Sequence, residues 1–263
     1  MSSQDRPQDW KNYDDFAAGI DTNRLPPSPA LQGRSFDVRF DAAHKLHLAF
    51  AQGQVVWSDE HGDGSDPCDV VEVAPHTYFV DVAFAARPTQ AATLILNVAT
   101  RRVLCVTSIV RGADEVRGEP RVAQVFRPGI IDNLDGPPGP LVPAPTRDLI
   151  GLRAHFTYSP QHTYEHTYLS SERYCWQCLV GVQRGHGDVD LTTTYRFDDN
   201  QYVFTFREFL IPVASVFFYN FDTMRSTGKF LGITGDGRIE NSRAGAIIRK
   251  ASMTYYLPGQ EPV

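Results

Sequence analysis

Asn97-Val98-Ala99-Thr100-Arg101-Arg102 in the first half of the chain and Asn220-Phe221-Asp222-Thr223-Met224-Arg225 in the second are one turn written twice, each following an apolar run. The correspondence extends outward. Tyr78-Phe79-Val80 with Pro88 answers Tyr202-Val203-Phe204 with Pro212. His44 and His47 followed by Trp57 answer His162 and His166 followed by Trp176, and Leu31-Gln32-Gly33 answers Leu149-Ile150-Gly151. The offset stays between 118 and 124 residues, which marks an internal duplication and halves the fold problem.

Each half is built of short alternating or apolar runs bounded by turn residues, the texture of strands. In the first half these include Ser35–Phe40, Lys45–Phe50, Gln54–Trp57, Thr77–Phe84, Thr93–Val98 and Arg102–Ile109. In the second they are Leu152–Tyr158, Thr163–Leu169, Tyr174–Cys178, Asp190–Phe197, Gln201–Phe209, Ser215–Phe221, Gly228–Ile233 and Ala251–Leu257. Helical spacing is absent except for a short helix expected around Asp14 to Ala18. A unit of six to eight strands with one apolar face buries that face by closing on itself, which removes exposed edges. The expected fold class is therefore all-β, with two tandem antiparallel β-barrels. The expected organisation is an arm over 1–30, a first barrel over 31–128, a Pro-rich linker over 129–148 and a second barrel over 149–263.

The 263 residues carry a net charge of −6 with scattered basic residues, which argues against nucleic acid as a partner. No apolar run is long enough to cross a membrane as a helix, and Met1–Arg6 has neither the basic start nor the apolar stretch of a secretory leader, so a cytoplasmic location is expected. The four cysteines are too few for a disulfide framework, and the spacing of Cys175 and Cys178 places them on opposite faces of a strand, as small apolar residues rather than as a metal or redox pair. No cofactor or metal is implied; the expected partner is a small molecule.

The strand Gln201–Phe209 puts Tyr202, Phe204, Phe206 and Glu208 on one face. If that face is interior, Glu208 is an ionisable group at the end of an apolar lining, a candidate general acid or base; otherwise it pairs with Arg207 at the surface. The first half has Phe84 at this place, so it is read as a scaffold or as the surface of a homo-oligomer. His162-Thr163-Tyr164-Glu165-His166 has the letters of an inverted zinc-protease motif, which needs a helix. Its β-branched and aromatic neighbours favour a strand, with the two histidines ~13 Å apart. His162, Tyr164, His166 and Tyr168 then share one face, as pocket lining or as a solvated stripe.

Three segments are long enough to carry a family resemblance: Phe16 to Pro27, Tyr158 to His166, and Phe206-Arg207-Glu208 followed by Met224 to Lys229. On them the chain resembles the MoaF family, a two-domain group labelled molybdenum cofactor biosynthesis protein F, which implies a lipocalin-like (calycin) fold. The second half is also similar to the phenolic acid decarboxylases. That resemblance implies a proton-donating glutamate at Glu208 and a carboxylate-holding tyrosine at Tyr158. The second such tyrosine falls at Phe156, and the arginine falls in the loop that holds Arg184 and His186. The site expected from all of this has Glu208, Tyr158 and His166 as the catalytic groups. Tyr202, Phe204, Phe206, Tyr164 and Phe156 would pack against an aromatic or unsaturated substrate, with His162, Arg184 and His186 fixing its polar groups. A lyase, hydratase or isomerase fits such a cofactor-free site; a non-catalytic carrier or accessory protein is the alternative.

Overall fold

A computed structural model describes residues 10–263; Met1–Arg6, read above for a leader, lies outside the described residues. The chain forms two eight-stranded antiparallel barrels in tandem. The first runs β1 (Ser35–Arg39), β2 (Lys45–Ala51), β3 (Gln54–Asp59), β4 (Gly62–Ala74), β5 (Thr77–Ala83), β6 (Gln90–Asn97), β7 (Arg102–Val110) and β8 (Val122–Ile131), and closes by pairing β8 with β1. After a two-residue strand β9 (Ala144–Pro145) the second runs β10 (Leu152–Ser159), β11 (His162–Tyr168), β12 (Arg173–Val180), β13 (Gly187–Asp198), β14 (Gln201–Arg207), β15 (Val213–Asn220), β16 (Arg225–Ile233) and β17 (Ile239–Met253). It closes through β17 on β10, Leu152 facing Met253.

The duplicated sequence features are duplicated bonds. Asn97 Oδ1 accepts from the backbone N–H groups of Ala99 and Thr100 at 3.0 and 2.8 Å, and Asn220 Oδ1 accepts from those of Asp222 and Thr223 at 3.0 and 3.2 Å. Each hairpin then turns through a left-handed residue, Arg101 (φ 64°) or Met224 (φ 52°). At the barrel entrances Gly33 N–H donates to Phe50 O at 2.8 Å and Gly151 N–H to Tyr168 O at 2.9 Å.

Two strands were hidden by their composition. β4 starts Gly62-Asp63-Gly64-Ser65, which reads as a turn, but Gly64 pairs with Trp57 and a Cβ there would lie 2.7 Å from Trp57 Cζ2. The large ring inside thus requires the missing side chain beside it. The last strand, expected over Ala251–Leu257, instead occupies Ile239–Met253; its inward residues Ala244 and Ala246 are small, which blurs the apolar alternation. β8 likewise carries the first residues of the expected linker, to Ile131.

Compactness divides the chain into one unit of 25–109 with 124–144, and another of the described residues up to Arg24 with 110–123 and 145–263. The described part of the arm up to Arg24 therefore belongs to the second barrel's unit, and residues 25–30 to the first barrel's. Phe16 of the arm's helix α1 (Tyr13–Ala17) and Ile20 just after it join the second barrel's core. Tyr13 Oη donates to Phe230 O at 3.2 Å and accepts from Ser242 N–H at 3.1 Å, while Asn23 N–H donates to Tyr158 O at 2.9 Å. Gly245 of β17 lets the arm cross it: a Cβ would lie 2.5 Å from Arg24 Cα.

Gly64→Ala should destabilise the protein by about 1–3 kcal/mol, the usual cost of overpacking. Urea unfolding followed by tryptophan emission reads this, and an unchanged midpoint would mean that the ring and strand do not meet as described.

Candidate functional site

The interior of each barrel is organised by one buried pair. Trp57 Nε1 donates to Asp66 Oδ2 at 2.7 Å in the first, and Trp176 Nε1 to Asp190 Oδ2 at 2.9 Å in the second. The other oxygen of each carboxylate accepts a backbone N–H from the chain just past the fifth strand of its barrel: Ala85 at 3.0 Å and Phe209 at 3.2 Å. The register of β4 on β5, continued two steps, sets Asp66 opposite Phe84, and that of β13 on β14, continued one step, sets Asp190 opposite Glu208.

Around this shared pair the two interiors differ in charge logic. In the first barrel Phe84 lies edge-on to Trp57 at 4.8 Å, and the Arg87 guanidinium covers both rings at 4.4 and 4.5 Å while bonding Asp59 at 2.8 Å. In the second, the place of Phe84 is taken by Glu208 and that of Arg87 by buried Ile211. A carboxyl is added where a cation is removed. Burial first, and then the charges of Asp190 and Asp188, hold the Glu208 carboxyl well above its ordinary range. Asp190 is itself raised to about 7, by burial and Asp188. Two opposed carboxylates cannot both ionise in such a site. Asp190, with two donors, is the first of the two to ionise, and Glu208 is the last to lose its proton.

A cavity opens beside Glu208. Its aromatic and aliphatic walls include Phe16, Ile20, Tyr174, Trp176, Phe206 and Phe230, and its polar groups are Tyr158, Tyr164, His166, Gln183 and Glu208. Its volume is about 30 Å³. That is room for a water or two, and a larger guest requires the wall to yield. Tyr164 Oη donates to Gln183 Oε1 at 2.8 Å, which leaves the Gln183 amide nitrogen facing the cavity without a partner among the described residues. The same holds for His166 Nδ1; burial pushes this imidazole down to about 3, so it is neutral. Burial also raises the Tyr158 and Tyr164 hydroxyls above their usual range.

Of the residues expected at the site, the cavity brings together Glu208, Tyr158, His166, Tyr164 and Phe206. Phe156, Phe204 and Tyr202 point inward as expected but belong to the packed core. Phe156 stacks near Tyr219 at 5.0 Å, Phe204 lies on Tyr219 at 5.4 Å, and Tyr202 Oη donates to Asp148 Oδ2 at 3.2 Å. His162 is buried beside the arm and bonds Ser159 Oγ at 2.9 Å. Arg184 is exposed, and His186 stacks on Trp10 at 4.9 Å in a separate hollow over Glu165 and Cys175, so neither lines the cavity. The alternative pairing of Glu208 with Arg207 is not what forms; Arg207 turns to the opposite face and donates to Thr192 O at 3.1 Å.

One correspondence needs correction. His47 does not match His166: Leu48 faces Trp57 as His166 faces Trp176, so the true partner of His166 is Leu48, and His47 lies on the outer face with Asp37. A one-residue slip exchanges faces. With the register right, the second barrel replaces the inward Leu46, Leu48 and Phe84 of the first by Tyr164, His166 and Glu208.

Residues 8–111 match the model of the MoaF N-terminal domain and residues 143–254 that of the MoaF C-terminal domain. Protein MoaF of Klebsiella aerogenes is 39% identical over 127 residues, which is 48% of this chain and 48% of its own, so the chain spans about half the length of that relative. A solved candidate beta-lactamase from Burkholderia vietnamiensis is 13% identical and superposes over 39% of this chain and 95% of its own with a TM-score of 0.34, too partial to bear on fold or function.

Because Glu208 keeps its proton in the fold but loses it in the unfolded chain above about pH 4.5, its ionisation favours unfolding as pH rises from there towards its raised folded value. Glu208→Gln removes that term. Thermal melts from pH 5 to 9 should show the variant gaining on the wild type as pH rises, by more than about 1.4 kcal/mol, the equivalent of a tenfold change in the folding equilibrium. A pH-independent difference would place Glu208 in water.

Proposed function

The chain belongs to the MoaF family, and we propose that its second barrel is a cofactor-free acid–base site for a small aromatic or unsaturated molecule, with Glu208 as the proton donor. The observation that carries this reading is the local exchange of inward residues between two otherwise matching barrels: Phe84 for Glu208 and Leu48 for His166, beside the same Trp–Asp pair. A carboxyl that retains its proton at neutral pH is a general acid poised for work in an apolar pocket. Asp190 opposite it serves as the positioning residue that keeps the proton on Glu208. The neutral imidazole of His166 is available to hold a ligand hydroxyl or to relay a proton. Lyase, hydratase and isomerase reactions share this demand for one well-placed donor. A decarboxylase of the phenolic acid type is the least supported of them, since the expected resemblance puts Phe156 at the place of a tyrosine and Arg184 stands outside the cavity.

A second reading is favoured by the tightness of the cavity: a non-catalytic binding or accessory protein, consistent with the family label of molybdenum cofactor biosynthesis. In that case Glu208 anchors a ligand without turnover.

The two separate in one assay. Unsaturated aromatic acids and their uncharged analogues are incubated with the wild type and Glu208→Gln, and consumption is followed by absorbance. The catalytic reading expects a loss of about 10²–10⁴-fold in the variant, the usual contribution of a general acid. Equal turnover by both would remove Glu208 from the chemistry, and binding without turnover by either would favour the accessory role.

A further inference from the structure

Every polar group on the cavity wall can be satisfied without charge: the phenols of Tyr158, Tyr164 and Tyr174, an indole, an imidazole, a carboxamide and the Glu208 carboxyl. No Lys or Arg is among the lining residues, and the one cation that the duplication would have offered, at the place of Arg87, is Ile211. A carboxylate or phosphate carried into this space would sit beside Asp190 with no counter-ion, at a cost of several kcal/mol for an unpaired buried charge. The unmet hydrogen-bonding capacity is that of His166 Nδ1 and of a donor on Gln183. Gln183 lines the space, its oxygen already accepts from Tyr164, and its buried amide nitrogen, without a partner among the described residues, wants an acceptor.

Resting on the reading of this cavity as a ligand site, we propose that the second barrel selects an uncharged aromatic or conjugated carbonyl compound, whose oxygen accepts from Gln183 Nε2 and from the Glu208 carboxyl. The ring lies where Phe16 now packs, edge-on to Tyr13 and Phe230 at 5.7 and 5.9 Å. Carbonyl oxygen between two donors is also the arrangement that would polarise a conjugated system for protonation or addition. Acids and phosphate esters of the same shape are excluded by charge rather than by size.

Acetophenone and benzoate form a matched pair, planar and nearly isosteric, one neutral and one anionic. Ligand-observed NMR titration of both at pH 7.5 is carried out on the full chain and on Phe16→Ala, which vacates the space of a ring should the arm be slow to move. Acetophenone is expected to bind at least tenfold more tightly than benzoate to one or both proteins, and Gln183→Leu, checked for folding by thermal melt, to weaken it at least fivefold. Benzoate binding as tightly as acetophenone overturns the proposed ligand class while leaving the cavity a binding site. Binding of neither to either protein overturns the cavity as a site for such ligands, and with it the reading under which Glu208 acts on them. Unchanged acetophenone binding in folded Gln183→Leu removes the amide as its anchor.

Discussion

A buried indole N–H must find an acceptor, and a buried carboxylate must find donors; in each barrel these two needs are met by one another. The bonds from Trp57 to Asp66 and from Trp176 to Asp190 tie the third strand of each barrel to the fourth, and the second carboxylate oxygen holds the chain as it leaves the fifth. Three strands are thereby fixed at one depth inside the barrel. In the first barrel nothing else is asked of the carboxylate, and Phe84 and Arg87 seal the space around the tryptophan. In the second the same carboxylate is set opposite Glu208, and the electrostatics of the site follow from that single placement. The negative charge stays on the residue that the framework already satisfies, and the neighbour is left holding a proton.

The fold was legible because duplication doubles the signal. The Asn-x-x-Thr turns, the glycines at the barrel entrances and the tryptophans each occur twice, and each pair makes the same bonds. Glu208 was legible for the related reason that the copy in the first half is apolar. What remained hidden has physical causes. Asp190 and Asp66 look like strand-edge residues until their register is known, and β4 reads as a turn because Trp57 needs glycine beside it. Gln183 sits in a polar loop whose more eye-catching residues, Arg184 and His186, point elsewhere. The histidine match failed by a single residue, which in a strand is enough to exchange inside for outside. The segment from Phe16 to Pro27 carried a family resemblance without a mechanism; its residues up to Arg24 prove to pack with the second barrel.

The two barrels illustrate how a ligand site can arise on a duplicated framework without new architecture. Inward apolar residues give way to Tyr164, His166 and Glu208, while the strands, turns and Trp–Asp pairs stay in place. Such exchanges cost packing and gain unsatisfied hydrogen-bonding capacity, and the free nitrogens of Gln183 and His166 are the visible remainder. Function here lives in a few side chains grafted on a fold that is itself indifferent to them.

The arm also sets a timetable. Tyr13 bonds Phe230 and Ser242, partners separated from it by 217 and 229 positions, so the wall that Phe16 and Ile20 complete cannot form until β17 has left the ribosome. Contacts this distant in sequence bear the full entropic burden of loop closure and slow the approach to the native state. Meanwhile the arm's Tyr13, Phe16 and Ile20 and the unfinished sheet edges are exposed together, a state prone to mispairing with other chains. The first barrel's strands, all of them earlier in the chain, can close during this interval, which makes the second barrel the late and vulnerable step in biogenesis.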